Sequence, residues 1–215
     1  MKRIVKIMVS WLSVLTFCTV AVEANDTNLK EIDYLKRYEL VLKNFQDKVA
    51  LVEKTGDLNV DFLHQMLAYE QLGVEMGKSE LQFGDHKRLK EVTHDHIKIM
   101  KKGIRDIEKL LKQMVKDPVV DEVNETEYFE LYTPSYDAML LALQLEKEGE
   151  TVKKTGSVDQ DFITKFILYL EFKLQFINHV LDKSEHEDIK ELASTLVTNT
   201  EKQLGILKEM QESIK

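Results

Sequence analysis

Apolar residues recur at helical spacing through most of the chain after Glu31, and glycine and proline are scarce, with 8 and 2 in 215 residues. Strand-type alternation is absent, so the pattern predicts an all-α protein. The stripe Tyr38, Val41, Leu42, Phe45, Val49 and Val52 predicts a first helix over about Glu31–Glu53, with Gly56 as its left-handed C-terminal cap. A second helix, about Asn59–Gln82, places Phe62, Leu63, Met66, Leu67, Val74 and Leu81 inward. The short turn Phe83-Gly84-Asp85 forces an antiparallel return into a third helix, about His86–Val115, along Leu89, Val92, Met100, Ile104, Ile107, Leu111 and Met114. Lys116–Glu127, with Pro118 and a cluster of acids, has the composition of a linker. Thr133-Pro134 then has the form of an N-cap followed by proline at the first helical position. Further helices are expected near Pro134–Lys153, Asp159–Lys183 and Glu185–Ile214.

The second set of three repeats the first at an offset of one hundred residues, without a gap. Lys54-Thr55-Gly56 matches Lys154-Thr155-Gly156, Asp61-Phe62 matches Asp161-Phe162, and Tyr69 matches Tyr169. Leu81, His86, Lys90, Glu91 and Lys102 also have identical counterparts. The expected architecture is a tandem repeat of three helices, about six in all, whose four longest form a bundle of two antiparallel hairpins. The divisions are 25–117 for the first repeat, 118–127 for the linker and 128–215 for the second repeat. Three short helices bury little alone, so the two repeats are expected to share one core.

The first residues fall outside this pattern. Lys2, Arg3 and Lys6 precede the apolar run Ile7–Val20, and Val22-Glu23-Ala24 offers small residues at −3 and −1. This predicts a signal peptide, residues 1–24, cleaved after Ala24, and hence an exported, periplasmic protein with no stable membrane span after processing. The only cysteine, Cys18, lies in that leader, so the mature chain has no disulfide to support it. Three bases and one acid leave with the leader, taking the net charge from −8 to −10. Such an acidic chain argues against nucleic acid as a partner.

No phosphate-binding loop, cysteine pair or serine–histidine–acid arrangement is recognisable, which argues against an enzyme. Glu, His and Met on helices are the remaining candidates, and together they point to metal. Glu91 and His94 have the Glu-x-x-His spacing of di-iron bundles. Their helical face also carries Lys87, Lys98, Lys101 and Arg105, a solvated set, and Ser194 stands opposite His94 in the second copy. Glu70 and His96 lie instead on the inward stripes of the first hairpin, where the second copy has Leu170 and Leu196. Met66 and Met100 fall in nearby layers. Carboxylate, imidazole and two thioethers would suit copper, Cu(I) in particular. A plain Glu–His hydrogen bond among ordinary core methionines fits the spacing as well.

Gly56-Asp57, Asp61-Phe62, Met66-Leu67, Met76, Leu81, Gly84, Leu89 and Ile104 follow in order a pattern seen elsewhere. Through them the first hairpin, and more weakly the second, resembles the exported bacterial family typified by the copper protein CopM, a ferritin-like domain. The family's paired histidines fall here on Tyr69 and Glu70, its proline on Ala68 and its later methionine on Ile107, while Met66 and Met76 are kept. Val74-Glu75-Met76-Gly77-Lys78 is similar to a stretch of a sister family of exported ferritin-like proteins. The resemblance implies a ferritin-like bundle in the bacterial envelope and copper as its ligand. The resulting expectation is a non-enzymatic bundle binding a transition metal, copper first, at Met66, Glu70, His96 and Met100. Met76, Tyr69, Glu91 and His94 are weaker candidates. One alternative is a metal-free structural bundle whose partner is another envelope protein; a second is a di-iron oxidase.

Overall fold

The computed structural model describes residues 29–214 apart from 117, 121, 149, 150 and 153. The expected leader, Met1–Ala24, lies outside the described residues. Six helices are present among them: α1 (29–50), α2 (Leu58–Phe83), α3 (Lys87–Met114), α4 (Glu122–Leu143), α5 (Val158–Lys183) and α6 (Glu187–Ser213). A two-stranded ladder pairs Lys147 with Val152 and Glu148 with Thr151 between α4 and α5. The protein is an all-α helical bundle.

Each long hairpin is specified locally. Asp57 caps α2, its side chain accepting from the Asn59 and Val60 amides, and Asp61 adds negative charge to the first turn. Ser157 caps α5 by accepting from the Gln160 amide, with Asp159 and Asp161 in the first turn. Gly56 and Gly156, just upstream, have φ of 81° and 88°, a conformation in which a side chain is strained. Both hairpins turn through three residues, and the Gly84 and Ser184 amides donate to the Glu80 and Val180 carbonyls.

The four long helices touch in the cyclic order α2, α3, α6, α5, so that α2 lies diagonally across from α6. Phe62, Leu63, Met66, Leu89, Met100, Ile107, Phe162, Phe166, Ile189 and Leu207 fill the interior. α1 and α4 cover the α2–α5 side. Phe45 of α1 meets Tyr69 edge-on with ring centroids 5.2 Å apart. The Tyr38 hydroxyl donates to the Leu143 carbonyl at 2.8 Å, which joins α1 to the end of α4.

Two boundaries differ from expectation. The first helix ends at residue 50, so Gly56 belongs to the approach to α2 and is no C-cap. α4 begins at Glu122, inside the expected linker, and carries Pro134 within it. Thr133 is therefore not an N-cap. The proline removes one amide donor, but Glu130, whose carbonyl loses its partner, is exposed to water. In return, Tyr132 packs on Phe176 at 5.1 Å and on Tyr136 at 5.6 Å. Tertiary packing outweighs the local proline signal here. α4 also stops at Leu143 instead of reaching Lys153. Its last carbonyls are taken by side chains: the Lys165 ammonium donates to the Ala142 and Gln144 carbonyls, each at 2.8 Å.

Candidate functional site: a charged pair in the bundle interior

The α2–α5 seam carries the charge. Glu70 Oε1 lies 2.6 Å from Lys173 Nζ, with the two side chains only 1% and 3% exposed. Its carboxyl group reaches Gly103 of α3, a position that Leu196 of α6 also approaches, so it sits between three helices of the bundle. Burial pushes its pKa up and the ammonium draws it back down. The net direction is upward because no water reaches the pair. Glu70 Oε2 has no hydrogen-bond partner.

His96 is buried on α3, its ring stacked on Phe166 with centroids 6.3 Å apart. Neither ring nitrogen has a partner. Burial first, and the Lys173 charge as well, lowers its pKa to about 4 in spite of Asp95, so the imidazole is neutral at ordinary pH. The Glu–His hydrogen bond left open by the spacing does not form; lysine from the other hairpin holds the carboxylate instead. Gln203, across from His96 on α6, is also buried with neither amide atom bonded. The two residues line a small cavity of about 180 Å³ with Val92, Ile99 and Ile206.

Met66 and Met100 are both fully buried. The Met100 sulfur rests against Gly73 of α2, beside the Tyr169 hydroxyl, in space that a Cβ at 73 would fill. Met76 is core filler. Tyr69 belongs to the aromatic group on the α1–α4 side, stacked on Phe176 at 5.3 Å and edge-on to Phe45. Its backbone carbonyl accepts from the Tyr169 hydroxyl at 2.9 Å. Glu91 and His94 are exposed on the outer face of α3, the latter only 3.9 Å from Asp95.

The donor set proposed from spacing is thus buried as expected, but its carboxylate is already neutralised. Among the described residues no three His, Cys, Asp or Glu side chains converge as metal ligands. Lys173 was missed by sequence reasoning. Its signal is a lysine on the apolar stripe Phe162, Phe166, Tyr169, Phe176 of α5, at a position where the first repeat has Gly73.

These features define a class: an all-α bundle of two hairpins with a charged pair buried across the seam. A family model for a domain of unknown function, DUF305, matches residues 55–211, and the chain belongs to that family. No curated protein and no solved structure matches it. No helix among the described residues is long and apolar enough to cross a membrane.

Proposed function

We propose that this protein is an exported, non-enzymatic bundle of ferritin-like type, related to the copper proteins typified by CopM, that works without metal as an interaction module of the bacterial envelope. One observation carries the reading. The ammonium of Lys173, 2.6 Å from Glu70 Oε1, occupies the place beside the carboxylate that a metal cation would need. A cation brought to Glu70 would have to displace that ammonium in a site with little water to screen the repulsion. The ancestral repeat, on this view, kept its shape while an internal salt bridge took over from a ligand set.

A specific observation favours the copper reading as the second choice. His96 is neutral, buried and unbonded at both nitrogens, and Met66 and Met100 supply buried thioethers. Those are the soft donors that Cu(I) prefers. A di-iron oxidase would need carboxylates from both hairpins, and Leu170 and Ser194 stand at the counterpart positions.

Elemental analysis with Cu(I) and Cu(II) titration of the Asn25–Lys215 chain separates these readings. The expected result is no tightly held metal in the wild-type chain. About one equivalent of tight copper, lost in the Glu70→Leu/His96→Leu variant, would overturn the metal-free reading and install the copper site.

A further inference from the structure

A second charged cluster lies at the end of the bundle where the α2–α3 turn meets the start of α5. Glu80, in the last turn of α2, is fully buried, and no donor reaches either of its oxygens. Its carboxyl group is folded under the turn, where a Cβ at Gly84 would collide with it. Asp159 of α5 approaches from the other hairpin, within side-chain hydrogen-bond reach of Glu80. Asp159 Oδ1 also accepts from the Asp85 amide at 3.2 Å and the His86 amide at 3.0 Å. It thereby clamps the turn of the first hairpin to the first turn of α5.

Two carboxylates in contact, one of them without any donor, repel unless a proton lies between them. We infer that Glu80 keeps its proton and donates it to Asp159, forming a buried proton-binding latch that fastens the two hairpins and loosens in alkaline solution. The surroundings agree. Tyr34 of α1 faces the pair and adds no compensating cation. Asp85, on the turn, adds negative charge, although its own carboxylate is drawn outward to Lys30 of α1 at 3.1 Å. His86 spends Nδ1 on the Leu89 amide as the cap of α3. Lys90 of α3 acts on Glu80 as a cation, but its ammonium is bonded to the Gly84 carbonyl at 2.9 Å. Behind Asp159, Asp161 of the same helix adds further negative potential at Tyr34.

The opposite end of the molecule supplies an internal control. There Asn59, the counterpart of Asp159, accepts from the Ser184 hydroxyl at 2.7 Å, and Val180 stands where Glu80 would be. That clamp contains no titrating group. Only the first hairpin's turn is held by a proton.

Burial, then the contact with Asp159, raises the Glu80 pKa from 4.5 to about 9, against the pull of Lys90. A raised carboxyl pKa gives stability that is complete below the unfolded value of 4.5, declines as pH rises, and is exhausted above about 9. The test is carbon-13 NMR of the full chain, labelled at its side-chain carboxyl carbons and titrated from about pH 4 to about pH 10. The latch requires the Glu80 signal to move with a midpoint near 9; a midpoint in the ordinary carboxylate range overturns it. Thermal melts of Glu80→Gln, which keeps a donor toward Asp159, give a second reading. The wild-type melting temperature should fall as pH rises from about 4.5 to about 9, and that of the variant should fall less over the same range. An unchanged slope in a folded variant also overturns the proposal, and if the variant does not fold the wild-type titration decides alone. Calcium or magnesium that shifts the Glu80 signal at neutral pH would replace the proton by a metal ion, and the latch would be wrong.

Discussion

The two hairpins have nearly the same length, a turn of the same three-residue span and similar caps, yet they are held by different chemistry. α2 carries Glu70 and Gly73 where α5 carries Leu170 and Lys173. The charges therefore meet only when the first hairpin packs against the second. A first hairpin paired with another first hairpin would set each Glu70 against Gly73 with no ammonium to meet it, and two second hairpins would set each Lys173 against Leu170 with no carboxylate. Both arrangements strand unpaired charges in a dry interior. The steric terms point the same way: Tyr169 lies over Gly73, where any Cβ would intrude, and reaches the Tyr69 carbonyl. A duplicated chain risks pairing like with like, and the divergence of these positions selects one partnership. The contribution of such a pair is specificity more than stability, as for other buried ion pairs used to fix register.

The largest expected effect comes from breaking that asymmetry on one side. Lys173→Met leaves Glu70 buried and unpaired, and should cost about 3–5 kcal/mol in chemical denaturation. Glu70→Leu should cost a comparable amount through the stranded ammonium. The double variant Glu70→Leu/Lys173→Met should return to wild-type stability or exceed it by about 1–4 kcal/mol, because packed apolar groups replace a desolvated pair. A double-mutant cycle with no coupling would remove the pair from any structural role. Lys173→Met also sharpens the metal question. With the ammonium gone, Glu70 is left without its cation, and if copper is to be held there its affinity should appear or rise in the same titration.

A smaller effect should follow at the two turns. Gly84→Ala drives a methyl group into the Glu80 carboxyl and pries it from Asp159, at about 1–3 kcal/mol for overpacking. Ser184→Ala has room, and forfeits only the hydroxyl's bonds to Asn59 and to the His86-equivalent amide, that of His186, at 2.7 and 3.2 Å. About 1 kcal/mol is expected there. Urea midpoints of the two single variants compare them directly, and equal losses would show that the carboxyl beneath Gly84 adds no special constraint.

Most of this architecture was legible in the sequence. Periodicity placed α2, α3, α5 and α6 to within two residues at each end, because long amphipathic stripes with short turns leave few alternatives. α4 was misplaced because Thr133-Pro134 is a strong local signal, whereas the contacts that hold Phe129 under Lys54 and Tyr132 on Phe176 are tertiary. Burial of Met66, Glu70 and His96 was also legible, from Phe166, Leu170 and Leu196 at their counterparts, and that of Met100 from its place on the apolar stripe of α3. The partner of Glu70 was not. Lys173 lies about one hundred residues away in sequence, and pairing across a seam depends on how two hairpins face each other, which periodicity within one helix does not encode. Glu80 shows the same limit: its counterpart Val180 marks it as inward, but only the fold brings Asp159 to it.

The smallest difference concerns the caps, and it separates local from tertiary contributions. Asp57 uses one carboxylate oxygen on the Asn59 and Val60 amides at 2.8 and 3.3 Å, and the other on the Val119 amide at 2.7 Å. It thus caps α2 and also anchors the connection between α3 and α4. Ser157 makes only the bond to the Gln160 amide, at 3.3 Å, in the same position before α5. A helix cap of either kind contributes about 0.5–2 kcal/mol. Ser157→Ala should therefore fall near the bottom of that range and Asp57→Ala near the top, since the Val119 amide loses its acceptor as well. Amide hydrogen exchange distinguishes the two parts of the Asp57 loss. Faster exchange at Asn59 and Val60 reports the cap, and faster exchange at Val119 reports the anchor. If Asp57→Ala raises exchange at the α2 amides alone, the connection to α4 is held by other contacts, and the two caps are equivalent after all.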